Sequence, residues 1–181
     1  MILLDPDLEP DSAPRTTPAK RTTVSVSGKN LRLPAARTLA RFLAEAQASI
    51  RLRGQVTALL TTDAYLRKLN RQFRRKNKAT DVLSFPAEGS FPAEGLIAGT
   101  AAEKIAGDLA ISVPTARKQA VEQGHSLSTE IKVLILHGLL HLAGHDHESD
   151  NGKMARREGQ LRAKLNLPQG LIERATKAKK S

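Results

Sequence analysis

The chain has 181 residues, enough for one domain with a real core and short for two. It has no cysteine, which excludes a disulfide framework, and a formal net charge of +11, which creates a field attractive to polyanions. No stretch approaches membrane-spanning length, and the run Met1 to Leu4 is too short and too soon acidic for a signal peptide, so a soluble cytoplasmic protein is expected.

Residues 1–21 read as an irregular N-terminal segment, rich from Asp5 onward in Pro, Asp, Thr and Ser. A single domain is expected over 22–167. Thr23 to Val26 is a short strand candidate, and Pro34 opens a helix whose Leu39, Phe42, Leu43, Ala46 and Ile50 form one apolar stripe for the core. Gln55 to Thr61 is β-rich, and Thr62 or Asp63 caps a helix with Leu66, Leu69 and Phe73 on its buried face. That helix and the loop behind it carry Arg67, Lys68, Arg71, Arg74, Arg75, Lys76 and Lys78 with no acidic residue among them. Such a run suits contacts to a phosphate backbone. Aromatic residues are scarce, so a wide stacking platform for bases is not expected.

Val82 to Phe85 and Asp108 to Val113 are the next strand candidates, with Ser84 and Asp108 as structural or wall-forming residues. Between them Ser84-Phe85-Pro86-Ala87-Glu88-Gly89 is repeated at once as Ser90-Phe91-Pro92-Ala93-Glu94-Gly95, which reads as a tolerated loop extension. A helix near Thr115 to Gln123, another from about Ser128, and a last one near Gly152 to Leu165 complete the domain, and 168–181 is a basic tail. Helices and strands interleave around one mixed sheet, an α/β or α+β arrangement.

The helix from about Ser128 runs into His137-Gly138-Leu139-Leu140-His141-Leu142-Ala143-Gly144-His145-Asp146-His147. Imidazoles four apart on a helix share a face and can reach one point. Gly144 can end the helix in a left-handed turn that swings the chain back, so His147 supplies a third nitrogen; His145 is the alternative donor. Three neutral imidazoles and one position left for water match catalytic zinc, and the lack of cysteine argues against a closed structural site. The spacing is close to the zinc-protease pattern H-E-x-x-H-x-x-G-x-x-H, but Gly138 stands where that pattern has its general base. A glycine cannot take a proton from water. Close packing or substrate access beside the metal is the expected reason for it.

With Gly in place of Glu, and Asp-His closing the motif, His137 to His147 resembles the H-G-x-L-H-L-x-G-x-D-H signature of the YbeY family of bacterial endoribonucleases. Leu69 to Arg74, Thr80 to Pro86 and Gly107 to Ser112 resemble further stretches of that family in the same order. One departure is His145, where the family usually has Tyr; the duplicated six residues are another. The resemblance implies that the metal helix packs against the sheet. It also implies a role in ribosomal RNA maturation, at the 3′ end of 16S rRNA, and in ribosome quality control, with the small ribosomal subunit and assembly proteins as partners.

Zinc on His137, His141 and His147 would lower the pKa of a water ligand to about 7 and polarise a phosphate oxygen. Arg74 matches the family's cleft arginine and is assigned to the charge that develops on phosphorus; Arg71, Arg75, Lys76 and Lys78 track the RNA backbone. Asp146 is expected to orient an imidazole. Single-stranded RNA is the expected substrate, because an unpaired backbone can bend into a metal cleft. Two other readings stay open at this point: a non-catalytic RNA- or ribosome-binding factor with a metal clamp, and a metallopeptidase.

Overall fold

The structure, a computed structural model, describes residues 1–8, 31–87, 105–147 and 150–168. The strand candidate Thr23 to Val26, most of the duplicated stretch and nearly all of the basic tail lie outside those residues. In chain order the described elements are β1 (Ile2–Leu4), α1 (Ala36–Ile50), β2 (Gln55–Thr61), α2 (Asp63–Arg74), β3 (Val82–Pro86), β4 (Ile105–Ser112), α3 (Val113–Gln123), α4 (Leu127–Leu142) and α5 (Lys153–Lys164). They form one domain around a mixed sheet with strand order β1-β2-β4-β3. β1 and β4 flank β2 in parallel, and β3 closes the edge antiparallel to β4.

Strand alternation assigns the two faces of this sheet. Val56, Ala58 and Leu60 of β2 and Leu109 and Ile111 of β4 join the main core with α1 and α4. Leu83 and Ala110 point the other way and pack with Leu66 of α2, with Leu69 and Phe85 beside them. The basic helix α2 and the histidine helix α4 therefore cover opposite faces, and the edge strand β3 separates them.

Two expectations are corrected. The first 21 residues were expected to be irregular throughout, yet Ile2–Leu4 add a parallel strand to β2, with Ile2 opposite Ala58 and Leu4 opposite Leu60. A parallel edge strand can be held by its ladder, which continues through the Asp5 amide donating to the Leu60 carbonyl at 2.9 Å, and three residues are too few to show a periodicity. Phe73 was expected in the core and is instead exposed, its ring edge-on to Phe85 with centroids 5.3 Å apart. Asn70 takes the inward position because its side-chain amide donates to the Lys78 carbonyl at 2.6 Å.

Candidate metal centre and its basic surround

The helix that carries the centre is set by its start and by its burial. Ser126 caps it, its hydroxyl accepting from the Thr129 amide at 3.1 Å, two residues earlier than the hydroxyl run alone suggested. Glu130 is fully buried and pairs with His125, so it does more than favour the helix dipole. From Ile131 to Leu140 nearly every side chain is buried, as befits a helix apolar on all sides and enclosed by the fold.

His137 and His141 stand one turn apart, with their Nε2 atoms 3.1 Å from each other. Donors 2.0–2.1 Å from a tetrahedral ion lie about 3.3 Å apart, so this pair is already at ligand spacing. Gly144 has φ +86°, and its amide donates to the His141 carbonyl while the His145 amide donates to that of Leu140, both at 3.0 Å. The chain reverses on this left-handed turn. His147 is thereby brought back to ring-centroid distances of 5.4 Å from His137 and 5.3 Å from His141. One ring nitrogen from each of the three lies within 4.8 Å of the others, and among the described residues this is the cluster able to hold an ion.

The donors are graded from inside outward: His137 buried, His141 half-buried, His147 exposed. Burial pushes the His141 imidazole down to about 4, reinforced by His137 and His147 and, more weakly, by the Arg74 guanidinium. A hydrogen bond to the His145 backbone opposes this, the sign expected of a ring nitrogen donating to a carbonyl. At neutral pH His141 is thus uncharged, and no proton has to leave it before a cation binds.

A carboxylate behind His137 completes the fit. Glu158 of α5, buried, points Oε2 at His137 Nδ1 from 3.7 Å, and both that Nδ1 and the Glu158 Oε1 are enclosed without a hydrogen-bond partner. A cation on Nε2 would fix the remaining proton on Nδ1, facing the carboxylate, an arrangement common around metal-bound histidine. Asp146, expected to orient an imidazole, is exposed on the turn, and a second carboxylate, that of Glu158, stands behind the His137 ring. The sequence held one sign of it: Glu158 shares its buried helical stripe with Met154 and Leu161.

Gly138 is explained by packing. A Cβ there would sit 2.8 Å from Leu109 Cδ2 and 3.3 Å from Ser84 Oγ, and the Ser84 hydroxyl donates to the Gly138 carbonyl at 3.2 Å. The histidine helix is therefore pressed directly onto β3 and β4. Asp81 holds the start of β3, accepting from the Val82 amide at 2.8 Å and from the Gln119 amide of α3 at 3.0 Å. Asp108 pairs with Phe85 across the strands and is exposed beside Phe73.

The basic residues sit where α2 ends. Arg71 and Arg74 occupy its last turn, Arg75 is the left-handed cap with φ +55°, and Lys76 and Lys78 follow, all exposed. Asn70 fastens this loop twice, through its amide on the Lys78 carbonyl and its own carbonyl accepting from Lys76 at 3.2 Å. The Arg74 charge makes the smallest of the contributions that lower the His141 pKa. His145 does not join the three donors and instead lines a cavity beyond the turn.

A profile of the family described as Endoribonuclease YbeY matches residues 18–166. A protein named Endoribonuclease YbeY from Koribacter versatilis is 52% identical over 143 residues, 79% of this chain and 86% of that protein. Its namesake from Solibacter usitatus is 51% identical over 144 residues, 80% of this chain and 86% of the relative. The solution structure of TM1509 from Thermotoga maritima aligns with a TM-score of 0.46 at 23% identity, covering 76% of this chain and 87% of the other. On the profile and the identity to the two named relatives, the chain belongs to the YbeY family of endoribonucleases.

Proposed function

We propose that the protein is a zinc-dependent endoribonuclease that cuts single-stranded RNA and serves ribosomal RNA maturation in the cytoplasm, on precursors of the small ribosomal subunit. The observation that carries this reading is the convergence of three imidazoles, two of them 3.1 Å apart, within the electrostatic reach of Arg74. His137, His141 and His147 would hold the ion, with Glu158 fixing the orientation of His137. When bound, zinc supplies Lewis acidity, polarising a phosphate oxygen and acidifying a water ligand.

The chain's own residues do the rest. Arg74 offers planar, paired N–H donors to the non-bridging phosphate oxygens, and these bonds strengthen as charge builds on phosphorus. Arg71, Arg75, Lys76 and Lys78 hold the flanking backbone by charge, which makes binding strongly salt-dependent. Gly138 places no carboxylate beside the metal, so the general base of a zinc peptidase is missing and the peptidase reading falls away.

The test is cleavage of a labelled unstructured RNA. Wild-type protein is expected to cut it, to stop on chelation and to recover with zinc. Arg74→Ala is expected to keep its zinc while kcat falls by about 10²–10³-fold, the usual cost of one transition-state donor. Cleavage that survives both chelation and Arg74→Ala would show the activity to be foreign and leave an RNA-binding assembly factor as the better reading.

A further inference from the structure

A second cationic feature lies outside the run on α2. Beyond the metal turn a cavity of about 640 Å³ opens between the loop after α1, the base of the β3–β4 connection, and the end of α4. Arg51 and Arg53 line it from the first of these, Arg157 from α5, and His145 from the turn itself; among the described residues no acidic side chain is in its walls. Three arginines from two separate parts of the chain thus border one space. Arg157 is held in place by a hydrogen bond from its Nη2 to the Ser49 carbonyl at 3.4 Å. Arg51 is held by its backbone, in the left-handed cap of α1 with φ +63°.

The position of this cavity matters as much as its charge. His145 lies between the ligands His141 and His147, so the cavity wall and the metal turn are the same few residues. At Gly144 a Cβ would meet no atom of the described residues within 4 Å. The Arg71 to Lys78 run, on the end of α2 and the loop behind it, lies on the opposite face of the sheet, so the two cationic features are carried by different parts of the fold.

We propose that this cavity is a backbone subsite for single-stranded RNA, in which Arg51, Arg53 and Arg157 take consecutive phosphates of the strand on one side of the scissile bond. The α2 run takes the other side. The inference rests on the nuclease reading, and it assigns a direction to the bound strand: from the α2 end, past Arg74 and the three histidines, over the turn at Gly144 and into the arginine cavity. Sequence alone did not mark Arg51 and Arg53, because they are isolated cations at a helix end rather than members of a run.

The experiment uses zinc-loaded full-length protein and an unstructured RNA of about 20 nucleotides with 2′-O-methyl riboses, followed by fluorescence anisotropy across a salt series. Arg51→Asn with Arg53→Gln is expected to weaken binding at low salt by at least about tenfold and to reduce the slope of log affinity against log salt by about 0.7 for each cation lost. Both residues are exposed, and Asn tolerates the left-handed conformation at position 51, so the fold should survive. The charge-matched pair Arg37→Gln with Arg41→Gln, exposed on α1, should leave the slope as it was. Equal loss in both double variants, or loss in neither, would overturn the subsite. So would a 4-thiouridine crosslink map of wild-type protein without adducts at residues 51–53 or 142–145. Because anisotropy reads binding and not turnover, wild-type protein that binds in this way but does not cut the same RNA with unmodified riboses would sink the nuclease reading alone.

Discussion

Replacing His141 by alanine is expected to empty the metal centre and to lower RNA cleavage by at least about 10³-fold, on the order of 4 kcal/mol of transition-state stabilisation. His141 is the middle member of the trio: its Nε2 stands 3.1 Å from that of His137, and its ring lies 5.3 Å from that of His147. Without it the remaining donors are one buried and one exposed imidazole on either side of a gap, too few to hold zinc with an open vertex. Its lowered pKa sharpens the point, since it is a donor kept neutral at pH 7 by its surroundings. Elemental analysis of untagged protein beside the cleavage assay checks this. A variant that retains one zinc per chain, or that cuts RNA at the wild-type rate, would refute the assignment.

Gly138→Glu restores the letter pattern of a zinc peptidase and is expected to give no peptidase and a much less stable protein. The new Cβ alone would lie 2.8 Å from Leu109 Cδ2, and the carboxylate beyond it would enter a buried position against β3 and β4. Overpacking costs roughly 1–3 kcal/mol, and burying an unpaired carboxylate adds to it. A loss of about 3 kcal/mol or more follows, a fall in Tm on the order of 10 °C for a chain of this size. Gly138→Ala should cost less, because the gain of about 1 kcal/mol in helix propensity opposes the overlap. Thermal unfolding and a peptide turnover assay decide the matter: wild-type Tm for the glutamate variant would mean that α4 does not lie so tightly on the sheet.

Most of this architecture was legible because its signals are local. The apolar stripe Leu39, Phe42, Leu43, Ala46 gave α1, and the spacing of His137, His141 and His147 around Gly144 gave the centre its donors. The bounds of β4 and α3 were readable to within a few residues for the same reason. What escaped was decided by partners distant in sequence. Ile2–Leu4 become a strand only because the edge of β2 is open to them, and Phe73 leaves the core because Asn70 is claimed by the Lys78 carbonyl. Glu158 could not be matched to His137 before α5 was known to pass behind α4.

Glu158 has one more consequence, because it belongs to a helix that donates nothing to the ion. Coordination at Nε2 commits the opposite nitrogen of His137 to donate, and the nearest acceptor is a carboxylate that is sealed in the interior with an unmet oxygen. Loading the ion should then latch α5 to α4 from within, so that occupancy is felt along Lys153–Lys164. Amide hydrogen exchange in that helix is expected to slow on zinc addition and to quicken on chelation, more than in α3. Exchange in α5 that ignores the metal would mean that the two helices are held together by their apolar contacts alone.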